Sequence, residues 1–155
     1  MHRSEICHVL SNSDFFKGLP FEEIRKIAEI CYVDHYEAGQ YIFHQGDYGN
    51  ELFIIIIGQV FLERTMNIGK HRGHVVIDAL ENGCTLGCWS GLLGQPHLLM
   101  SSANCQEPTQ TLVLNGGKLR EMMLRHSDFG FNILERLCIF LGNRIQAAYG
   151  AMDKI

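Results

Sequence analysis

The stretch Leu52-Phe53-Ile54-Ile55-Ile56-Ile57-Gly58-Gln59-Val60, set behind Gly39, Gly46-Asp47 and Gly49-Asn50, decides how the chain folds. Its apolar run is too short for a typical helix and rich in β-branched side chains, so it predicts a strand buried on both faces. It also falls far short of the ~20 apolar residues that cross a bilayer. The glycines around it stand where corners between strands need positive φ or close backbone approach. Working outward, Tyr32 to Leu114 reads as short strands punctuated by turns. Strands are predicted at Tyr32–Tyr36, Tyr41–Phe43, Val60–Leu62, Val75–Ile77, Cys84–Leu86 and Thr111–Leu114, with a dense turn at Gln45–Asn50 and a hairpin tip at Asn67-Ile68-Gly69. Many short strands at this spacing predict a sandwich, barrel or jelly roll.

The flanks follow a helical period. Residues 1–31 read as helices. Asn12-Ser13-Asp14 caps a short turn before Phe15 and Phe16, and Leu19-Pro20 opens a helix whose Ile24, Ile27, Ala28 and Cys31 form one buried stripe. Beyond Asn115-Gly116-Gly117 the helical period returns. Lys118–Arg125 predicts a short helix with Leu119, Met122 and Met123 inward. Ser127-Asp128 then caps a last helix running to about residue 152. In that helix Leu134, Cys138, Leu141, Ile145, Ala148 and Met152 recur in alternating steps of four and three, the pattern of a coiled-coil seam. A second stripe, Ile133, Leu137 and Phe140, lies to one side. Two apolar faces need two partners, so the expectation is a homodimer through this helix; the other reading is one wide stripe closed within the monomer. The chain is divided as a single domain, 1–155, with N-terminal helices over 1–31, the strand region over 32–114 and closing and dimerisation helices over 115–155.

Composition narrows the function classes. With 46% apolar and 19% charged residues among 155, the chain is not disordered. Thirteen Lys+Arg against seventeen Asp+Glu leaves −4, which speaks against a chain-wide basic face for nucleic acid or anionic lipid. The opening Met1–His8 lacks the apolar run of a signal peptide. Six scattered cysteines without a CxxC pair read as reduced thiols in a cytoplasmic protein.

The run from Ala38 to Val60 resembles the signature of cyclic-nucleotide-binding domains: a Gly, an extended pair, Gly-Asp, an apolar strand, then Gly-x-Val. The resemblance extends through Leu19-Pro20, Gly83, Leu86-Gly87 and the two closing helices. It implies a mainly β fold, a double-stranded β-helix (jelly roll) flanked by N-terminal and C-terminal helices, as in the catabolite-activator superfamily. The function it implies is regulatory ligand sensing. In the family a phosphate-binding cassette opens with Gly-Glu at a short helix and closes with Arg-Ser/Thr-Ala. The Glu accepts the ribose hydroxyl, the Arg neutralises the cyclic phosphate, and backbone N–H groups at the helix start complete the anion site. Here Gly87 and Ser102-Ala103 match, but Cys88 holds the Glu position and Ser101 the Arg position. Losing both charged contacts costs about 3–5 kcal/mol, or roughly two to three decades of affinity. Ala148-Tyr149 stand where the catabolite activator offers a hydroxyl pair to adenine. Cyclic AMP or GMP is therefore expected to bind weakly or not at all, and no cofactor is expected. The expected pocket is Gly87, Cys88, Trp89, Ser90, Ser101, Ser102, Ala103 and Tyr149, holding a small neutral or apolar ligand. Small stand-alone bacterial members with a Gly-Trp-Ser type cassette, lacking the Glu and Arg, resemble the chain more closely. The chain stops at Ile155, short of the helix-turn-helix that family regulators carry, so no direct nucleic-acid contact is expected.

Other constellations were weighed. Cys84 and Cys88 with His71, His74 and His97 suggest a haem or metal site, but their spacing fits neither a zinc nor a cluster motif, and no metal site is expected. Cys88 or Cys105 as a thiol redox sensor is a related alternative, and a purely structural dimeric protein-interaction module is a third. Enzyme motifs are absent: there is no Gly-x-Ser-x-Gly, HExxH or Walker loop, and His71 and His74 lack the His-x-His spacing of cupin metal sites. No catalytic residue is expected.

Overall fold

The computed structural model describes residues 1–87, 89–95 and 97–154. Two helices, α1 (Arg3–Asn12) and α2 (Phe21–Ala28), precede six strands: β1 (Cys31–Tyr36), β2 (Tyr41–Phe43), β3 (Tyr48–Gly49), β4 (Glu51–Ile57), β5 (Val60–Ile68) and β6 (His71–Leu80). β7 (Thr85–Gly87), a short 3₁₀ helix (Trp89–Leu93), β8 (His97–Leu98), β9 (Ser102–Cys105) and β10 (Thr109–Asn115) follow, and α3 (Gly116–Arg125) and α4 (Ser127–Met152) close the chain. The strands build two antiparallel four-stranded sheets, in order β1-β10-β4-β7 and β2-β9-β5-β6, with β3 and β8 as a separate pair. This is the expected jelly roll flanked by helices.

The central run explains the layering. Side chains alternate across a strand, and in β4 both sides are buried. Leu52 and Ile54 join α1–α4 in one core, with Leu112 and Leu114 of β10 beside them. Phe53 and Ile55 face the other way into the space between the sheets, with Val113, Leu62 and Leu86. A strand with a hydrophobic environment on each side shows no apolar–polar alternation, which is why the isoleucine run reads as continuous.

The helical flanks are locked locally. Glu5 accepts from the His2 backbone N–H at 2.8 Å at the start of α1. At its end the buried Ser13 hydroxyl donates to the Leu10 carbonyl at 2.7 Å and accepts from the Phe16 N–H at 3.1 Å. Phe15 stacks edge-on against both Phe16 (4.9 Å between ring centres) and Phe140 of α4 (5.7 Å), which ties the two ends of the chain together.

Several boundaries differ from expectation. Cys31 does not extend the α2 stripe; it opens β1, half-buried, with its thiol donating to the Ile27 carbonyl at 3.3 Å. The hairpin tip sits one residue later than predicted, at Gly69-Lys70, because Ile68 still pairs with His71. α4 starts after His126 with no side-chain cap bond, although Ser127-Asp128 was the predicted cap. β9 occupies the end of the cassette stretch, where no strand was anticipated.

Gly87 ends β7 with φ +123°, and a Cβ there would collide with the Glu51 carbonyl oxygen and stand 3.0 Å from the Phe53 ring. Gly87→Ala therefore combines a disfavoured backbone with a clash against backbone. It is expected to lower unfolding free energy by about 2–3 kcal/mol in urea denaturation, well beyond an ordinary surface Gly→Ala change.

Candidate functional site

A cavity of about 380 Å³ opens between the second sheet, the segment around Gly87–Ser101, and the underside of α4. Strand alternation supplies one wall: Leu62 and Arg64 of β5 face the cavity with Phe43 of β2 and Ile77 of β6. The intervening Glu63 does not; buried on the opposite face, it accepts from Asn104 Nδ2 at 3.1 Å and lies 3.0 Å from His74 Nε2. A second wall is Leu86, Gly87, Trp89 and Leu98–Ser101. The roof is helical: Phe140, Leu141, Arg144, Ile145 and Ala148 recur at one-turn spacing and present one face of α4. The walls are overwhelmingly apolar.

Only part of the expected pocket converges. Gly87, Trp89 and Ser101 line the cavity. Cys88 lies outside the described residues, and Ser90 is described only as backbone of the 3₁₀ helix. Ser102 and Ala103 belong to β9, whose pairing sends them elsewhere. Ala103, opposite Leu62, is fully buried between the sheets, whereas Ser102, opposite Glu63, accepts from the Gln45 N–H at 2.8 Å. Tyr149 is 64% exposed and off the cavity; its neighbour Ala148 takes the lining position. The expected seam divides as well. Leu141, Ile145 and Ala148 line the cavity of the monomer, and Leu134, Cys138, Met152 and Ile145 itself are exposed on α4. His71 and His74 lie on β6, and His97 on β8 places its ring 5.9 Å from that of Trp89.

Sequence reading missed two arginines. Arg144 reaches from α4 to the barrel: Nη1 donates to Asp78 Oδ2 at 2.8 Å, Nη2 to the Thr85 carbonyl at 2.6 Å, and its guanidinium carbon lies 4.7 Å from the Phe140 ring centre. Arg64 donates from Nη1 to the Met100 carbonyl. Both line the cavity. The signals were there: Arg64 is in step with Val60 and Leu62 along β5, and Arg144 is in step with Phe140 and Ala148 along α4.

Three of the described thiols are held protonated. Burial, reinforced by the neighbouring Cys7, pushes the Cys31 thiol up to about 12. Burial also raises Cys84 and Cys105. A thiol held protonated is a poor nucleophile and a poor metal ligand. Among the described residues no group of three His, Cys, Asp or Glu side chains gathers to hold a metal ion.

The family described as the cyclic nucleotide-binding domain matches residues 33–126, more than half of the sequence. The chain belongs to that family. A cyclic nucleotide-binding domain from Methylobacillus flagellatus KT superposes with TM-score 0.79 at 21% identity, covering 99% of this chain and 84% of that one. The N-terminal domain of a transcriptional regulator from Streptomyces coelicolor A3(2) superposes with TM-score 0.70 at 20% identity, covering 90% and 94%. Among curated proteins, the cGMP-dependent protein kinase egl-4 of Caenorhabditis briggsae is 40% identical over 57 residues, 37% of this chain but only 8% of the kinase. The kinase likeness is thus confined to a small part of a much longer protein.

Two outcomes follow from this geometry. Asp78→Ala removes the acceptor that holds Arg144 and is expected to cost about 1–2 kcal/mol; hydrogen exchange should quicken in residues 141–152 of α4 while residues 127–137 stay protected. At mildly alkaline pH, iodoacetamide should modify the exposed Cys138 and leave Cys31 unmodified in the native protein, as read by peptide mass mapping.

Proposed function

We propose that this chain is a regulatory ligand-sensing domain whose cavity takes a small, largely apolar molecule and holds cyclic nucleotides weakly or not at all. The observation that carries the reading is an open cavity of about 380 Å³ whose described lining residues include no carboxylate for a ribose hydroxyl, with Ser101 where the family carries its phosphate-binding arginine. Volumes of this order suit small organic ligands. A nucleotide's ribose and purine bring many polar atoms, and burying them against unreactive hydrocarbon costs about 1–3 kcal/mol for each left unpaired. The same fold occurs in a regulatory subunit described as cAMP-independent. The regulatory subunit of a cAMP-independent protein kinase A from Trypanosoma brucei, solved as a mutant bound to cAMP, superposes with TM-score 0.71 at 22% identity over 98% of this chain and 51% of that one.

α4 is the output element in this reading. Part of its length roofs the cavity, and its solvent side leaves Phe131, Leu134, Ile139, Ile145 and Met152 exposed. A ligand that packs against Leu141 and Ile145 changes how the helix sits on the barrel, and differential contact of this kind is what shifts a two-state element. The exposed face is the proposed homodimer surface. No catalytic role is proposed. No described helix is long and apolar enough to cross a membrane, and a cytoplasmic setting is proposed from the unpaired cysteines.

Calorimetry with cyclic AMP and cyclic GMP is expected to show no binding tighter than high micromolar; a submicromolar isotherm overturns the ligand assignment. Light scattering of Leu134→Asp combined with Cys138→Asp is expected to report monomers, and a dimer that persists in this double variant refutes association through α4. A thermal-shift screen of metabolites separates sensing from the rival reading of a purely structural interaction module, since a ligand that binds the native state raises Tm.

A further inference from the structure

The geometry points to an anionic head on the ligand: Arg64 and Arg144 form a two-guanidinium subsite in a largely apolar cavity, built for a small molecule with an apolar body and one carboxylate. This rests on the sensing reading and narrows its ligand class.

The argument is one of charge and of spare donors. Both arginines line the cavity, and among the described residues no acidic side chain does. Asp78, which pairs with Arg144, sits on β6 outside the lining and balances only one of the two positive charges. A guanidinium carries five N–H donors and cannot give up its proton. Among the described residues Arg144 uses one donor on Asp78 and one on the Thr85 carbonyl, while Arg64 uses one on the Met100 carbonyl. Donors therefore remain on both, and both side chains line a cavity of low polarity, where a charge-assisted hydrogen bond is strong. Positive charge against apolar walls favours an incoming anion and disfavours a cation, whose charge would be desolvated beside two like charges. The subsite is separate from the family's cassette, because Arg64 comes from β5 and Arg144 from α4. Occupation also has a route to the output helix. An acid that binds Arg144 competes with Asp78 for the residue that pins α4 to the barrel.

The test uses matched probes on the full chain: phenylpropionate, octanoate and indole-acetate, each with its primary amide and the corresponding primary amine, measured by calorimetry and thermal shift. At least one carboxylate is expected to bind at least about tenfold more tightly than its amide, as one charge-assisted contact implies, and the amines are expected not to bind. Arg64→Gln and Arg144→Gln should each erase most of that preference, bringing the acid's affinity to within about twofold of its amide's in the same variant. Arg144→Gln also loses the Asp78 bond, so its unliganded melting curve is compared first. If that variant is unfolded, Arg64→Gln, which gives up only a bond to a main-chain carbonyl, decides the matter. Amides or amines that bind as well as the acids overturn the anionic subsite and leave ligand sensing standing. A carboxylate preference undiminished in the folded variants overturns the assignment to these arginines. Silence across acids, amides and amines alike overturns the sensing reading and this inference together.

Discussion

Two-sided burial of β4 and β10 is the constraint on which the molecule depends. Leu52, Ile54, Leu112 and Leu114 belong to the core shared with the helices, and Phe53, Ile55 and Val113 to the core between the sheets. A one-residue slip in either strand would exchange the two sets. Both cores would then lose their complementary shapes at once, so register is held from two sides. That rigidity places Gly87 against Glu51 and Phe53 and thereby sets where the cassette leaves the sheet.

Against this stiff barrel, α4 is held unevenly. Its first half is anchored by Phe129, Ile133 and Leu137 in the helical core. Its second half rests on a cavity, on partly buried side chains and on the bonds of Arg144 to Asp78 and Thr85. In the proposed sensing role, a helix with one end fixed in a packed core and the other resting on a cavity and an ion pair is the element suited to report occupancy. Local stability follows buried contact, and elements that move in regulation come from its weaker end.

Much of the fold was legible in the sequence. The isoleucine run, the glycine corners and the return of helical period after Asn115 each reflect short-range periodicity, and each appears in the structure. The site was less legible. Ser102, Ala103 and Tyr149 were assigned to the pocket from their place in a motif, but strand pairing turns Ala103 into the core and Ser102 outward, and the rotation of α4 leaves Tyr149 in solvent. Leu141, Ile145 and Ala148 carry a regular spacing that predicts a seam, and spacing alone cannot say whether the surface they meet is another helix or a cavity in the same monomer.

The sequence by itself determined the strand-rich middle, the helical flanks, and the absence of acid and guanidinium at residues 88 and 101. These are local properties, readable from side-chain period and residue type. Only the tertiary structure decided that Arg64 and Arg144 border one cavity, that α4 roofs it, and that Asp78 holds the roof down. The physical reason is that these residues lie far apart along the chain. Which face each presents depends on sheet pairing and helix docking, and both are settled by the packing of the whole domain.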